Sequence, residues 1–236
     1  MHVLGIETSG EMGSVGIISR GKTLAEINFA ATLKQGEKLF PAVDSALKLA
    51  EIDKTELGLI SVATGPGSFT GLRIGIASAK GMAQALEIPL VGVPSFDIYT
   101  SAASYWGGKI WALLPDRKDW IYTQCFKSGQ MAEAAQAVLV EHWLQRIGNE
   151  AQENMFFIGP GAESHRKRLE SIKGAIVAPQ RLNEPSGTAI AKLGLERFDR
   201  DSVNQIRDIE PLYLQALMPD TVKPAKTTKI IQFGRS

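Results

Sequence analysis

The sequence predicts an α/β protein built from two similar halves, and two observations lead to this prediction. Short apolar runs typical of buried strands alternate along the chain with segments of helical periodicity. From about residue 109 the same order of elements begins again, as a repeat of architecture and not of sequence. We therefore expect one half over residues 1–103, a second over 104–217 and a mobile basic tail over 218–236.

The first half is predicted to follow the order β-β-β-α-β-α-β. Its strands are expected at residues 2–7, 13–19, 22–29, 57–63 and 90–93. Residues 35–51 carry apolar side chains at helical spacing, with Pro41 in the first turn or at a kink because proline lacks the N–H of a helix interior. A second helix, 71–86, follows a glycine-rich turn.

The second half is predicted to repeat this plan. Its strands are expected at residues 109–114, 120–126, 135–140, 155–158 and 175–178, and its helices at 141–147 and 162–171. The boundary between the halves is placed at 99–108, a Ser/Ala/Gly stretch with weak periodicity. Ser186 resembles an N-cap for a last helix, 187–198, that we expect to pack back across the junction.

The glycine-rich turn before helix 71–86 has two interpretations. Free N–H groups at a helix N-terminus attract anions, so the turn could bind phosphate. However, Gly65, Gly67 and Gly71 are spaced one residue longer than the dinucleotide fingerprint, and no Gly-Lys-Ser/Thr sequence follows. The spacing therefore favours a tight structural turn, with Ser68 or Thr70 as the helix cap.

The helix that follows the turn has only two charges, Arg73 and Lys80, so little of it can face water. One of its faces consists mostly of small residues, which allow another helix to approach closely. Two interpretations remain open: packing on a helix of the same domain, or contact with another subunit. On the second, the isolated protein is expected to form a homodimer. The residues expected to bind a partner are then Leu39, Val43, Leu47, Gly71, Gly75, Ser78 and Met82.

Three motifs together resemble the TsaB (YeaZ) family. They are Gly-Pro-Gly-Ser-Phe-Thr-Gly-Leu-Arg-Ile-Gly at 65–75, Leu-Gly-Ile-Glu-Thr-Ser at 4–9 and Glu-Pro-Leu-Tyr-Leu at 210–214. The first is specific and the others support it. The resemblance extends to about residue 218, and between about 128 and 183 it is one of layout. Two side-by-side halves, ribonuclease-H-like in form, resemble the actin, Hsp70 and sugar-kinase architecture, and the family resemblance points to the same fold.

The resemblance also implies a function. A member of this family is expected to act in forming threonylcarbamoyladenosine in tRNA, as a non-catalytic scaffold paired with the catalytic homologue TsaD. It implies a TsaE-like ATPase in the complex, ATP and Mg²⁺ for that complex but no cofactor in this subunit, and indirect contact with tRNA. An independent ATP-dependent small-molecule kinase of the same architecture is the alternative, and a protease is a third and weaker one.

Nucleotide-binding residues can be proposed from the same architecture, in which one turn per half grips phosphates beside a metal-binding carboxylate. The candidates are Glu7, Thr8 and Ser9 in the first half and Asp116 in the second. Both carboxylates could hold Mg²⁺ through water, although Glu7 also simply ends a strand and Asp116 opens a turn. The family commonly has Asp-Ala-Arg where this chain has Asp-Arg-Lys at 116–118. The turn at 159–161 resembles the adenosine-side turn of the architecture.

Composition and residue spacing limit the other functions that can be expected of this sequence. A net charge of +1 gives no reason to expect strong independent binding to nucleic acid. His2, His142 and His165 lack the spacing of a helical metal site, so no metal or catalytic residue is predicted. Cys125 lies in an apolar strand, where we expect it in the core. One cysteine, no leader and no uncharged run of 18 residues favour the cytoplasm and no membrane span.

Overall fold

The computed structural model describes residues 1–30, 35–150, 154–200 and 206–214, which form two five-stranded sheets with helices packed on them. The predicted tail, 218–236, lies outside these residues. The strands are β1 (His2–Glu7), β2 (Met12–Ser19), β3 (Lys22–Ala30), β4 (Leu57–Gly65), β5 (Leu90–Pro94), β6 (Lys109–Pro115), β7 (Trp120–Lys127), β8 (Gln130–Leu139), β9 (Met155–Ile158) and β10 (Ala175–Val177). The helices are α1 (Gln35–Leu49), α2 (Phe69–Leu86), α3 (Ser95–Ala102), α4 (Val140–Asn149), α5 (Pro160–Ser164), α6 (Arg166–Glu170) and α7 (Gly187–Arg200).

The two sheets share one topology. The strand order is β3-β2-β1-β4-β5 in the first and β10-β9-β6-β7-β8 in the second, which is the same order read from the opposite edge. In each sheet, three antiparallel strands are extended by two parallel ones. The predicted α/β class and the predicted repeat of architecture are therefore confirmed.

Three elements differ from the prediction. Helix α3 was not predicted, because eight residues in a Ser- and Tyr-containing stretch give too few turns for a periodic signal. The helix predicted at 162–171 is two short helices, α5 and α6, which meet at His165. Strand β8 begins earlier than predicted, because its first residues are exposed and carry no alternating apolar pattern.

The first sheet is buried on both faces, which explains why its central strands are continuous apolar runs. Helices α1 and α2 cover one face, where Leu4, Ile6 and Ile60 belong to the largest apolar cluster. Helix α7 covers the other face, where Ala191 packs with residues of β1, β2 and β4. No helix in the described ranges is long and apolar enough to cross a membrane.

Helix α7 lies unusually close to the first sheet. A Cβ atom at Gly5 would lie 2.0 Å from the carbonyl oxygen of Gly187, and one at Gly16 would lie 2.2 Å from the backbone nitrogen of Thr188. The Gly187 N–H donates to Ser14 Oγ at 2.8 Å. Glycine is therefore needed here for close approach of two backbones.

We expect Gly16→Ala to lower the free energy of unfolding by about 1–3 kcal/mol. The added methyl group would overlap backbone atoms of α7, which cannot rotate away as a side chain can. Denaturant titration of the purified variant measures this. Gly36→Ala is the control, since its Cβ would meet no atom within 4 Å and it lies in helix α1. Equal stability of the two variants would contradict the close packing of α7.

Candidate functional site

The glycine-rich turn before α2 packs on the end of β1. Gly65 has a φ of 103°, and Ser68 caps the helix by accepting from the Gly71 N–H at 3.2 Å. The Ser68 N–H donates to the Ser9 carbonyl at 2.6 Å, and a Cβ at Gly67 would lie 2.5 Å from that same oxygen. The turn thus has the internal packing that the structural interpretation predicts.

The small-residue face of α2 lies against its own half of the protein. A Cβ at Gly75 would lie 2.1 Å from Thr8 Oγ1, and that hydroxyl donates to the Gly71 carbonyl at 2.8 Å. Gly71 and Gly75 are both buried. Both glycines thus give room to Thr8, which directly follows β1, and their role in partner binding remains a prediction.

The other residues predicted to bind a partner are also placed mainly inside. Leu39, Val43 and Leu47 belong to the core under α1, so their side chains do not reach the surface. Ser78 is half-buried, and Met82 is half-buried and packs against that core. The amphipathic pattern of α1 already showed that these leucines and valine point inward.

The exposed face of α2 is a different row of small residues. Ala77, Gly81 and Ala85, spaced four apart, are exposed, and a Cβ at Gly81 would meet no atom within 4 Å. Their spacing places them on one side of the helix, away from the buried Ile76 and Ala79. The sequence contains this signal, although the predicted partner-binding residues lie on a different face of the helix.

The three motifs that carry the family resemblance meet at the N-terminus of α2. The segment 210–214 is joined to the end of β4 by a hydrogen bond from the Leu212 N–H to the Thr64 carbonyl at 2.7 Å. The rings of Phe69 and Tyr213 have centroids 5.3 Å apart. Arg73 lies 3.7 Å above the Phe69 ring and donates from Nε to the Tyr213 hydroxyl at 3.1 Å. Both rings are about half exposed.

Glu7 lines a cleft between the two sheets. It is 1% exposed, and its Oε1 accepts from the Ser9 N–H. Burial raises the pKa of Glu7, and the bonds from Ser9 lower it only in part. Burial also raises the pKa of Tyr99, with a smaller contribution from the charge of Glu7. Helix α3 thus places a phenol in the same cleft as this carboxyl, which the sequence did not reveal because α3 was missed.

The other nucleotide-binding candidates are only partly brought together. Thr8 and Ser9 adjoin Glu7, but they also form hydrogen bonds with Gly71, Ser95 and the turn at 65–68. Asp116 does not belong to the described lining of the cleft. It is half-buried and forms a hydrogen bond with Tyr122, whose pKa is raised to about 12, mainly by burial.

The glycine turn at 159–161 has a packing role. A Cβ at Gly159 or Gly161 would lie 2.5 Å or 2.8 Å from backbone atoms of Leu113, so the glycines let α5 approach β6. The Gly159 N–H donates to Asn183 Oδ1 at 2.8 Å, and Asn183 Nδ2 donates to Glu163 Oε2 at 3.0 Å. This network forms the second-half wall of the cleft.

Cys125 lies in the core, as predicted. It is fully buried, and burial raises the pKa of its thiol to about 12, so the thiolate that a nucleophile requires is strongly disfavoured. Within the described part of the chain, no group of three His, Cys, Asp or Glu residues is arranged to hold a metal ion.

Comparison with known proteins identifies the family. A family model described as "TsaD: tRNA N6-adenosine threonylcarbamoyltransferase" matches residues 30–172, which is more than half of the chain. The chain belongs to this family. Within it, the TsaB (YeaZ) resemblance is confirmed by relatives that match over almost their whole length.

Two of these relatives are named tRNA threonylcarbamoyladenosine biosynthesis protein TsaB. The one from Bacillus subtilis is 27% identical over 91% of this chain and 94% of its own, and the one from Escherichia coli is 23% identical over 91% and 95%. A tRNA N6-adenosine threonylcarbamoyltransferase from Prosthecochloris aestuarii is 31% identical over 44% of this chain and 34% of its own.

Solved structures support the TsaB (YeaZ) fold. YeaZ from Pseudomonas aeruginosa has a TM-score of 0.70 at 22% identity, covering 90% of this chain and 99% of its own. The ethanolamine utilization protein EutJ from Carboxydothermus hydrogenoformans has a TM-score of 0.53 at 11% identity, covering 82% and 90%. The predicted actin-like architecture is therefore confirmed.

We expect Glu7→Gln to stabilise the protein above neutral pH by about 1–3 kcal/mol, because a buried carboxylate without full hydrogen bonding is costly. Burial raises the pKa of Glu7 in the folded protein. The contribution of the neutral carboxyl to the free energy of unfolding is therefore fully present below the ordinary pKa of 4.5, and it is lost as the pH rises through the folded-state pKa. The gain from the variant should therefore grow with pH. Denaturant titrations across pH 4 to 9 measure it, with exposed Glu51→Gln as the control. A pH-independent difference would contradict this assignment.

We expect Gly75→Leu to lower the melting temperature markedly, because its side chain would overlap Thr8. Gly81→Leu places the same side chain on the same helix in open space and should leave the melting temperature unchanged or slightly raised. Thermal unfolding followed by circular dichroism compares the two. A stable Gly75→Leu protein would mean that this glycine does not pack against Thr8.

Proposed function

We propose that this protein is a non-catalytic scaffold subunit that pairs with a TsaD-like homologue to form threonylcarbamoyladenosine in tRNA. The observation that carries the proposal is the near full-length match to proteins named for biosynthesis of this modified nucleoside. A TsaE-like ATPase, indirect contact with tRNA, use of ATP and Mg²⁺ by the complex and a cytoplasmic location belong to the same proposal.

The exposed face of α2 is the proposed contact with the TsaD-like subunit. The row Ala77, Gly81 and Ala85 gives this face small side chains at its centre, which allow two helices to approach closely and bury backbone as well as side-chain surface. The TsaD family model includes α1 and α2, so a TsaD-like partner carries counterparts of both helices. Two related subunits can then join through related faces, as subunits of a two-fold dimer do.

Two exposed aromatic side chains of α1 and α2 are also available to a partner. Phe40, 48% exposed on α1, and Phe69, 53% exposed at the start of α2, offer aromatic anchors of the kind that dominate binding energies. We expect the same surface to form a homodimer when the partner is absent, because a second copy presents an identical face. Sedimentation of the isolated protein at tens of micromolar tests that part of the proposal.

The electrostatics of the cleft weigh against the alternative of an independent kinase. Glu7, Glu11, Glu163 and Glu184 all line the cleft, and its described lining contains no lysine or arginine to receive a phosphate. Titration calorimetry of the isolated protein with ATP and Mg²⁺ discriminates between the two functions. A dissociation constant below about 100 μM, equivalent to about 5.5 kcal/mol, would favour the kinase.

We expect Gly81→Leu to weaken binding to the TsaD-like subunit about tenfold to a hundredfold. A leucine here holds the partner helix away, at a cost of about 1–3 kcal/mol, and each 1.4 kcal/mol is about tenfold in affinity. Calorimetry or surface plasmon resonance with the purified partner measures this loss.

The control for this measurement is Gly148→Leu. Gly148 is an exposed helical glycine of α4, with no atom within 4 Å of its Cβ position, and it lies in the second half. Partner affinity should be unchanged in this variant. If Gly81→Leu bound the partner as tightly as the unmodified protein, the exposed face of α2 would not be the contact, whatever the fate of the family assignment.

A further inference from the structure

Arg73 is held in one position on the exposed surface of α2. Its guanidinium carbon lies 3.7 Å from the centroid of the Phe69 ring, and its Nε donates to the Tyr213 hydroxyl at 3.1 Å. Among the residues that the structure describes, its two terminal nitrogens have no hydrogen-bond or ion-pair partner. A guanidinium that is already oriented and keeps two donor nitrogens unused is well suited to a carboxylate.

Arg73 belongs to a ridge of α2 residues spaced four apart. The ridge continues through Ala77, Gly81 and Ala85, which are all exposed, and a Cβ atom at Gly81 would meet no atom within 4 Å. Ridges of this spacing on two helices pack side by side in the commonest class of helix contact. The small side chains make Gly81 the natural point of closest approach for a second helix.

The other end of the same helix carries a negative charge. Glu87 is the C-cap of α2 and is exposed. Within the described part of the chain, its carboxylate has no hydrogen-bond or ion-pair partner. The C-terminus of a helix is also the negative end of its dipole, and α2 has no basic residue in its last turn. The other charged residue of the helix, Lys80, is half-buried. The exposed surface of α2 is thus positive near its start and negative at its end.

A second copy of the chain complements both ends at once. At a rise of about 1.5 Å per residue, Arg73 lies about 12 Å before Gly81, and Glu87 lies about 9 Å after it. In an antiparallel pair centred on Gly81, Arg73 of one copy therefore lies level with Glu87 of the other, and two-fold symmetry produces this contact twice. A parallel pair would instead place the two Arg73 side chains next to each other, where like charges repel. Charge complementarity therefore favours the antiparallel arrangement.

We propose that two copies of this chain pair through antiparallel α2 helices, whose orientation is fixed by two symmetric ion pairs between Arg73 and Glu87. This inference rests on the homodimer of the proposed function and names the residues that orient its subunits. Phe69 and Tyr213 hold the guanidinium in place, so less side-chain entropy is lost than in an ordinary exposed ion pair. The negative end of the second helix adds to the attraction.

Sedimentation of charge-reversal variants tests the ion pair. We expect Arg73→Glu and Glu87→Arg each to raise the dissociation constant of the homodimer about tenfold or more, because each change replaces two attractions by two repulsions. The double variant exchanges the charges and should recover most of the lost affinity. Lys167→Glu reverses an exposed charge on α6, in the second half, and should dimerise as the unmodified protein does. Thermal unfolding of each variant confirms that it is folded.

Three outcomes would overturn the proposal. An unmodified protein that stays monomeric at tens of micromolar would show that α2 does not join two copies. A double variant as weak as the weaker single variant would show that Arg73 and Glu87 do not meet. Loss of the dimer in Gly81→Leu, with no change in either charge variant, would leave the helix contact and remove the ion pair. Affinity of the unmodified protein for the TsaD-like subunit is measured separately, so this inference and the scaffold proposal can fail independently.

Discussion

The contact between the backbone of α7 and the first sheet is the constraint on which much of the architecture depends. Gly5, Gly16 and Gly187 remove the side chains that would otherwise hold helix and sheet apart. Glu26 of β3 then accepts hydrogen bonds from Ser186 and Thr188 at the start of the helix. Helix α7, which lies late in the sequence, is thereby packed on the N-terminal half. It covers the face of the first sheet that α1 and α2 leave open.

This arrangement also defines the cleft. Helix α3 is tied to α7 by an ion pair between Asp97 and Arg197, and α3 places Tyr99 in the same cleft as Glu7. The second half contributes Glu163 and Asn183 from the opposite wall. The cleft is therefore assembled from segments that are far apart in sequence. Its acidic character is a property of the assembled fold and of none of the local motifs.

The features that could be predicted well from the sequence are those that depend on neighbouring residues in the chain. Strand β1 was predicted with its observed bounds because a short uninterrupted apolar run is typical of a buried strand, and Ser68 was correctly named as a possible cap because its chemistry is local. Helix α3 was missed because it is short. The contacts of Gly75 with Thr8, and of α7 with Gly5, join residues that no spacing rule connects. For the same reason Glu7 could be named as a candidate, while its surroundings could not.

The burial of Cys125 has a practical consequence. A thiol whose pKa is raised to about 12 inside the second-half core reacts slowly with alkylating reagents at neutral pH. Because it is the only cysteine in the sequence, the native protein should react very little with thiol-specific labelling reagents. A cysteine introduced at an exposed position can therefore carry a single fluorophore or spin label without removal of the native one. Distances within the protein, and from it to a labelled partner, then become measurable in an otherwise unaltered protein.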